Sequence, residues 1–147
     1  MTDDIIKLPN YFATIAKTLE ERTPPEKIKK RPGPGGITLD YVEIGYVLKQ
    51  LDKAFNHLWD FEILEEEVRK DQVWVKVKLT IHLAPSFDLK KEAFGSSDIK
   101  RYSSGPNEGK VIDIANDLKS ASADALKKAA SLLGIAADVY YPREFVK

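Results

Sequence analysis

The sequence predicts an α+β domain in which a meander of three antiparallel strands packs on a long C-terminal helix, with shorter helices before the sheet. Residues 73–83 alternate between apolar and polar side chains, which is the pattern of a strand with one buried face. Residues 112–134 instead place small apolar side chains at steps of three and four, which is typical of a helix. Because the strands come first and the long helix last, we expect a β-β-β-α core.

The long helix is expected to begin after Asp113, whose carboxylate can accept from the first free backbone amides. Gly134 suits the left-handed cap at its end. The predicted buried stripe consists of Ala115, Leu118, Ser122, Ala125, Ala129 and Leu132. Off this stripe lie three lysines, which give the helix a basic side: Lys119, Lys127 and Lys128. Asp124 and Lys128 are spaced for an i,i+4 ion pair.

The segments before and beside the long helix are predicted from shorter signals. The first expected element is a helix capped by Asn10, with an apolar stripe of Phe12, Ile15, Ala16 and Leu19. A capping box at 23–26 and a loop without regular structure at 31–36 follow. We then expect a helix from Glu43 to about Leu58, strands at 61–69 and 87–94, and a loop at 95–109. The loop at 31–36 presents Arg31 and Tyr41 from its two sides.

The composition is that of a soluble globular protein, with 147 residues of which 31% are charged and 43% hydrophobic. This length suffices for one hydrophobic core, so we expect a single domain over residues 1–147. The chain has no cysteine, no apolar run that could cross a membrane, and an acidic start unlike a signal peptide. We therefore expect an intracellular protein, in the nucleoid or cytoplasm, or in the nucleus or an organelle of a eukaryote.

Signals for enzymatic chemistry are weak. The glycine-rich segment 33–38 lacks the lysine and the spacing of a phosphate-binding loop. His57 and His82 have no partner at metal-ligand spacing, and no nucleophile elbow accompanies the serines. The sequence therefore predicts no enzyme, no metal and no cofactor. One enzymatic alternative stays open, a metal-dependent nuclease that would use the acidic cluster between Glu62 and Asp71.

Basic and aromatic side chains favour a nucleic-acid surface, although the 23 basic and 23 acidic residues cancel overall. Four bases lie within residues 27–31, Tyr41 follows them, and the polar face of the central strand carries Trp74, Lys76 and Lys78. A groove that follows a nucleic-acid backbone needs several cations and an aromatic side chain or two, in no particular order. Exposed lysines are also ordinary, so an oligomeric scaffold that binds no nucleic acid remains an alternative.

Two segments resemble the single-strand-annealing recombination mediators of double-strand-break repair, the family of the eukaryotic annealing protein's N-terminal domain and its phage and bacterial relatives. They are RPGPGGITLDYVE at 31–43 and IDIANDLKSASADALKKAASLLGIAADVY at 112–140. The strand VWVKVKLTI and the segment FGSSDIKR between them are similar too. The resemblance covers roughly residues 19–140. It implies ATP-independent binding and annealing of single-stranded DNA, a homo-oligomeric ring, and a basic groove around its outside.

Matched position by position, the residues that the resemblance assigns to the groove are Arg31, Tyr41, Lys119, Lys127 and Lys128. For a second surface that engages duplex DNA, the candidates are Lys100 and Arg101. Asn116 and Ser131 stand where relatives often carry further basic residues, so we expect weaker binding. We expect no counterpart of the long C-terminal partner-recruiting region of eukaryotic members. A replication single-strand-binding protein or a recombinase remains a candidate partner.

A module that binds double-stranded RNA is the main non-enzymatic alternative to DNA annealing. Its element order, helix, three strands and helix, is the same, and lysines at its last helix contact phosphates across a duplex groove. Against it, the segment 31–41 has no purpose in such a module, and the chain is about twice the necessary length. Competition between single-stranded DNA and duplex RNA separates the two hypotheses.

Overall fold

The computed structural model of the protein describes residues 12–142. They form an α+β fold with antiparallel sheets and a long helix near the C-terminus, as the sequence predicts. The chain divides into two compact units: unit 1 contains residues 12–59, 81–88 and 130–142, and unit 2 contains residues 60–80 and 89–129. Within residues 12–142, no helix combines the length and the apolar character needed to cross a membrane. The predicted cap Asn10 lies outside the described residues.

From residue 12 to the three-stranded sheet, the described chain forms two helices, two short 3-10 helices and a hairpin. In chain order they are α1 (12–19), a 3-10 helix (Pro25–Lys27), β1 (Lys29–Pro32), a 3-10 helix (Pro34–Gly36), β2 (Thr38–Tyr41) and α2 (Ile44–Phe55). The prediction that 31–36 has no regular structure is therefore wrong. Arg31 and Pro32 end β1, and Gly33 donates its amide to the carbonyl of Ile37 at 2.7 Å, which closes the turn.

Helices α1 and α2 bury parts of the predicted stripes in unit 1. Ile15 is buried in α1, whereas Phe12 and Ala16 are exposed, so that stripe is only partly confirmed. Helix α2 begins after Glu43 as predicted and buries Val47, Leu51 and Phe55. It ends before Leu58, because Asn56 and His57 adopt positive φ angles of 52° and 64°, which a right-handed helix cannot continue through.

Thr23 does not cap the helix that follows it. Its hydroxyl donates to one carboxylate oxygen of Asp138 at 2.7 Å and its amide to the other at 3.0 Å. Asp138 belongs to a four-residue helix, α4 (Ala137–Tyr140), and the Tyr140 hydroxyl accepts from the amide of Val42 at 3.4 Å. Burial raises the pKa of Tyr46, which also hydrogen-bonds Thr23. Polar contacts over long sequence distances therefore join the segments before and after the hairpin to α4 within unit 1.

Strands β3 (Trp59–Val68), β4 (Gln72–Ala84) and β5 (Phe87–Asp98) form a sheet in the order β3-β4-β5, joined by short turns. Strand β4 buries the predicted apolar face, which includes Val73, Val75, Val77 and Leu79. Strand β5 continues four residues beyond the predicted end, so Gly95 to Asp98 are strand and not loop. Here a glycine signals close packing and not a turn.

The long helix, α3 (Ile114–Ser131), packs on β5 in unit 2 through small side chains. A Cβ atom at Gly95 would overlap the backbone nitrogen of Ala125 and lie 2.5 Å from the carbonyl oxygen of Ala121. Strand and helix backbones therefore approach too closely for any side chain at position 95. This approach sets the buried face of α3, which includes Asp117, Ala121, Ala125 and Ala129.

The predicted ends and stripe of α3 are partly correct. The Asp113 carboxylate accepts from the amide of Asn116 at 3.2 Å, which confirms the predicted cap. Ala125 and Ala129 are buried as predicted, but Ala115 and Leu132 are exposed. The helix ends at Ser131, and Gly134, with φ 116°, follows three residues later. The predicted stripe includes Ala115, whereas the helix face that lies against Gly95 includes the buried Ala121.

Candidate nucleic-acid interface

The hairpin of β1 and β2 sorts its charged side chains onto two faces. In its register Lys29 lies opposite Tyr41, Lys30 opposite Asp40, and Arg31 opposite Leu39. Because successive side chains point to opposite faces, Lys29, Arg31 and Tyr41 share one face, while Lys30 and Asp40 share the other. All four residues of β1 are exposed. One face of the hairpin is therefore basic and aromatic: its β1 side chains are exposed, and its β2 side chains, Leu39 and Tyr41, are half-buried.

Arg31 and Tyr41, both predicted from the sequence, are brought together on that face. The guanidinium carbon of Arg31 lies 5.9 Å from the ring centroid of Tyr41, which is a cation–π arrangement. Arg31 is exposed and Tyr41 is half-buried. A guanidinium held over a ring in this way keeps planar N–H donors for a phosphate, and the aromatic ring is a surface on which a base can stack.

The opposite face of the hairpin is neutral. The Lys30 ammonium lies 2.6 Å from a carboxylate oxygen of Asp40, directly across the two strands. Beside the turn, a shallow pocket of about 440 Å³ is lined by Lys30, Arg31, Pro32, Gly36, Ile37 and Thr38. The pairing of Lys30 with Asp40 leaves the Arg31 face as the more positive side of the hairpin.

The three predicted lysines of α3 differ in how their charges are used. Lys119 is exposed, whereas Lys127 and Lys128 are half-buried. The Lys128 ammonium lies 2.8 Å from a carboxylate oxygen of Asp124, which confirms the predicted i,i+4 pair. The other oxygen of Asp124 accepts from the amide of Ser96 at 3.0 Å, so this carboxylate is itself held in place. Lys119 is therefore the most accessible cation of the three.

The predicted groove residues fall into two sets, which the two units hold separately. Arg31 and Tyr41 belong to unit 1, whereas Lys119, Lys127 and Lys128 belong to unit 2. Each set is assembled by its own elements, the hairpin in one case and α3 in the other. That a single DNA strand contacts both sets stays a prediction.

Asn116 and Ser131, where the resemblance implies a departure from the relatives, have different environments. Asn116 is exposed in the first turn of α3, so an uncharged side chain there removes surface charge. Ser131 is only 4% exposed, and a basic side chain at that position would meet the interior of unit 1. Of the two departures, only Asn116 affects the charge of an open surface.

The predicted second-surface residues lie side by side in a loop of unit 2, residues 99–112. The Lys100 ammonium lies 3.3 Å from a carboxylate oxygen of Asp117, whose side chain is 1% exposed. Arg101 donates from its guanidinium to the carbonyls of Gly109 at 3.0 Å and Lys70 at 2.7 Å. The role of Asp117 is not among the predictions from the sequence, although Asp117, Ala121 and Ala125 at steps of four mark one helix face.

The aromatic and basic face predicted on β4 carries paired charges. The rings of Trp74 and Phe94 meet edge to face with centroids 5.6 Å apart. The Lys76 ammonium lies 3.5 Å from a carboxylate oxygen of Glu92, on β5. Both charges of this pair lie on the sheet, so Lys76 adds little net charge to the surface.

The acidic cluster that motivated the nuclease alternative begins with Glu62 on β3. A carboxylate oxygen of Glu62 lies 3.3 Å from the ammonium of Lys78. Across residues 12–142, no group of three or more histidine, aspartate or glutamate side chains could hold a metal ion. The geometry of the described residues therefore adds no support for the nuclease.

Comparison with known proteins identifies the family of the chain. A family model described as the Rad52/22 family double-strand break repair protein matches residues 11–146. This match spans the hairpin, the three-stranded sheet and α3, and so includes both sets of candidate DNA-binding residues. A search of the curated proteins finds no matching relative. The chain therefore belongs to the Rad52/22 family of double-strand break repair proteins, whose work is DNA repair and recombination.

Proposed function

We propose that the protein binds single-stranded DNA through its phosphate backbone and anneals complementary strands, without ATP, during recombinational repair of double-strand breaks. One observation carries the proposal. The hairpin presents Lys29 and Arg31 on an exposed face, with Arg31 over the ring of Tyr41. Two cations on the exposed strand β1, beside the half-buried ring of Tyr41 on β2, supply charge for phosphates and an aromatic surface for bases. Membership in a double-strand break repair family supports DNA as the ligand.

Annealing in this proposal is a binding process in which no covalent bond is made or broken. Arg31 in unit 1 would neutralise phosphates and hold a strand by its backbone, and Lys119 in unit 2 would do the same at its own surface, so the bases stay available for a complementary strand. Sequence would then be read only by base pairing, which agrees with a site built from charge and one aromatic ring. The absence of a phosphate-binding loop signature in the sequence is consistent with an ATP-independent activity.

The same proposal includes a homo-oligomeric ring around which the strand lies. Subunits arranged head to tail repeat the exposed cations at regular intervals and so extend a short binding surface into a long one. A replication single-strand-binding protein or a recombinase remains a candidate partner, and an intracellular location follows from the proposed substrate. Light scattering with and without oligothymidylate tests the assembly, and a monomer in both samples would contradict it.

The central test compares hairpin variants in binding to oligothymidylate across a salt series, followed by annealing of two complementary oligonucleotides. The binding constant K falls as salt rises, and removing one phosphate contact makes the slope of log K against log salt less steep by about 0.7 for single-stranded DNA. We expect this change for Arg31→Ala. Tyr41→Ala should weaken binding, because a base loses its stacking surface, which is worth about 1–3 kcal/mol.

The matched control is Lys49→Ala, which removes one exposed charge from α2, outside the hairpin. The control should leave both the salt slope and the annealing rate unchanged. An equal loss of slope in Lys49→Ala and Arg31→Ala would show that net charge matters and the hairpin face does not. A wild-type protein that binds but does not anneal would refute the annealing half of the proposal alone. Duplex RNA as a competitor separates this function from double-stranded RNA binding.

A further inference from the structure

The hairpin of β1 and β2 is too short to hold its own position. Each of its strands has four residues, and every residue of β1 is exposed. A two-stranded hairpin that buries so little surface is at best marginally stable in water. Its position in unit 1 therefore depends on contacts at its two ends, where the chain enters β1 and where it leaves β2.

Both ends of the hairpin are hydrogen-bonded to the short helix α4. Before β1, Thr23 donates its amide and its hydroxyl to the two carboxylate oxygens of Asp138, at 3.0 and 2.7 Å. Directly after β2, the amide of Val42 donates to the hydroxyl oxygen of Tyr140 at 3.4 Å. Asp138 and Tyr140 lie two residues apart on α4, and all four residues belong to unit 1. Helix α4 therefore bridges the chain that enters the hairpin and the chain that leaves it.

The contact between Thr23 and Asp138 is the stronger of the two. Thr23 is 5% exposed, and hydrogen bonds to a carboxylate are stronger than bonds between neutral groups. The single hydroxyl proton of Thr23 goes to Asp138, so the Thr23 oxygen accepts in its hydrogen bond with Tyr46. Burial raises the pKa of Tyr46, so the phenol keeps the proton that it donates. These three side chains form a hydrogen-bonded chain with one direction, from α2 to α4.

Helix α4 is itself held firmly in unit 1. Its residues Ala137 and Val139 are buried, as is Ala136 directly before it. Gly134, with φ 116°, lies so close to α1 that a Cβ atom there would be 3.0 Å from the carbonyl oxygen of Leu19. The apolar side of α4 therefore fixes the helix, while its polar side chains reach the two ends of the hairpin.

We propose that Asp138 and Thr23, with a smaller contribution from Tyr140, are positioning residues for the DNA-binding face of the hairpin. They act through the ends of the hairpin and not by contact with DNA, and they keep Arg31 and Tyr41 in the orientation that binds a strand. This inference rests on the proposed function. It extends the hairpin site to a helix near the other end of the sequence.

Hydrogen exchange of the full chain without DNA tests the positioning role. The amide of Gly33, which donates to the carbonyl of Ile37 at 2.7 Å, reports opening of the hairpin turn. Asp138→Asn leaves one acceptor oxygen for two donors, and Thr23→Val removes the hydroxyl. Each variant should lower the protection of the Gly33 amide at least about fivefold. The amide of Leu51, in the buried face of α2, is the internal control and should keep its protection.

Binding to oligothymidylate across a salt series shows whether this position matters for DNA. A face that is correctly placed only part of the time binds with an affinity lowered by that fraction, while its number of phosphate contacts stays the same. Asp138→Asn should therefore weaken binding about threefold to tenfold at every salt concentration, with the slope of log K against log salt unchanged. Loss of a negative charge alone would act in the opposite direction, since it favours an anionic ligand. Glu20→Gln, which removes an exposed acid from unit 1, is the matched control and should not weaken binding.

Conservative variants separate the positioning contact from a general effect of substitution. Thr23→Ser keeps the hydroxyl donor and should retain both the protection and the affinity to within about twofold. Thr23→Val combined with Asp138→Asn should bind no more than about twofold more weakly than either single variant, because both remove the same contact. Tyr140→Phe should have the smallest effect, because its 3.4 Å hydrogen bond is long.

Each outcome supports or overturns the proposal. Unchanged protection of Gly33 in both Asp138→Asn and Thr23→Val would overturn it, as would unchanged affinity for oligothymidylate. An equal loss of protection at Leu51 would also overturn it, because the contact would then stabilise unit 1 as a whole. A less steep salt slope in Asp138→Asn would mean that phosphate contacts were lost, which contradicts a pure positioning role. A wild-type protein that does not bind oligothymidylate would refute the proposed function, whereas the exchange experiment would still decide whether α4 positions the hairpin.

Discussion

The hairpin of unit 1 and the helix α3 with its neighbouring loop in unit 2 each carry several cations but use them differently. On the hairpin, Lys29 and Arg31 lie on an exposed strand, and only Lys30 pairs with a carboxylate, on the other face. In unit 2, Lys100 pairs with Asp117 and Lys128 with Asp124. The positive charge counted from the sequence is therefore larger than the uncompensated positive charge on the surface that could contact DNA.

The two regions also differ in how tightly they are packed. Gly95 lies against the backbone of α3, where a strand and a helix leave no room for a side chain. At the hairpin, a Cβ atom on Gly33 would instead meet the side chain of Leu39, which is half-buried and able to move. We infer that unit 2 depends on close packing there, and that the hairpin depends more on its register.

The largest expected effect tests this difference in packing. Gly95→Ala should reduce the free energy of unfolding by about 1–3 kcal/mol or more, because backbone atoms of Ala121 and Ala125 must move. Gly33→Ala, the matched substitution in the hairpin, should cost less than about 1 kcal/mol, since Leu39 can change its rotamer. Urea unfolding of both variants measures the difference. Equal losses of unfolding free energy in the two variants would show that packing at Gly95 is no tighter than packing at Gly33.

The next effect concerns the two faces of the hairpin. Lys29→Ala should lower the salt slope for oligothymidylate by about 0.7, because Lys29 shares the face of Arg31. Lys30→Ala should change the slope much less, because Asp40 already neutralises Lys30 at 2.6 Å. The two variants remove the same charge from adjacent residues, so each controls for the other. Equal slopes in the two variants would show that the pairing with Asp40 does not restrict Lys30.

The smallest effect would be a gain of binding in unit 2. Asp124→Asn keeps an acceptor for the amide of Ser96 but removes the negative charge beside Lys128. The charge of Lys128 then has less compensation, and we expect affinity for oligothymidylate to rise by about twofold to tenfold, equivalent to about 0.4–1.4 kcal/mol. In the double variant with Lys128→Ala, the gain should disappear. A gain that persists there would come from lost repulsion and not from Lys128.

Much of the fold follows from local signals in the sequence. The period of two in residues 73–83 predicted β4 because a strand with one buried face must alternate. Asp113 predicted the start of α3 because a carboxylate there satisfies a free amide of the first turn. The spacing of Asp124 and Lys128 predicted their ion pair because residues four apart are neighbours on a helix.

Structural features that depend on contacts between segments distant in the sequence could not be predicted from such local signals. Gly95 looked like the start of a loop, because only the approach of α3 reveals that the strand needs a residue without a side chain there. Thr23 looked like a helix cap, but its partner Asp138 lies 115 residues further along the chain.

Among the candidate DNA-binding residues, the sequence by itself determined which side chains are basic or aromatic and on which elements they lie. Only the tertiary structure decided which of these charges are available. Asp117 compensates Lys100 from inside unit 2, whereas Arg31 keeps an exposed position over Tyr41. The reason is that an ion pair depends on a distance of a few ångströms between atoms, and the fold, not the order of residues, sets that distance.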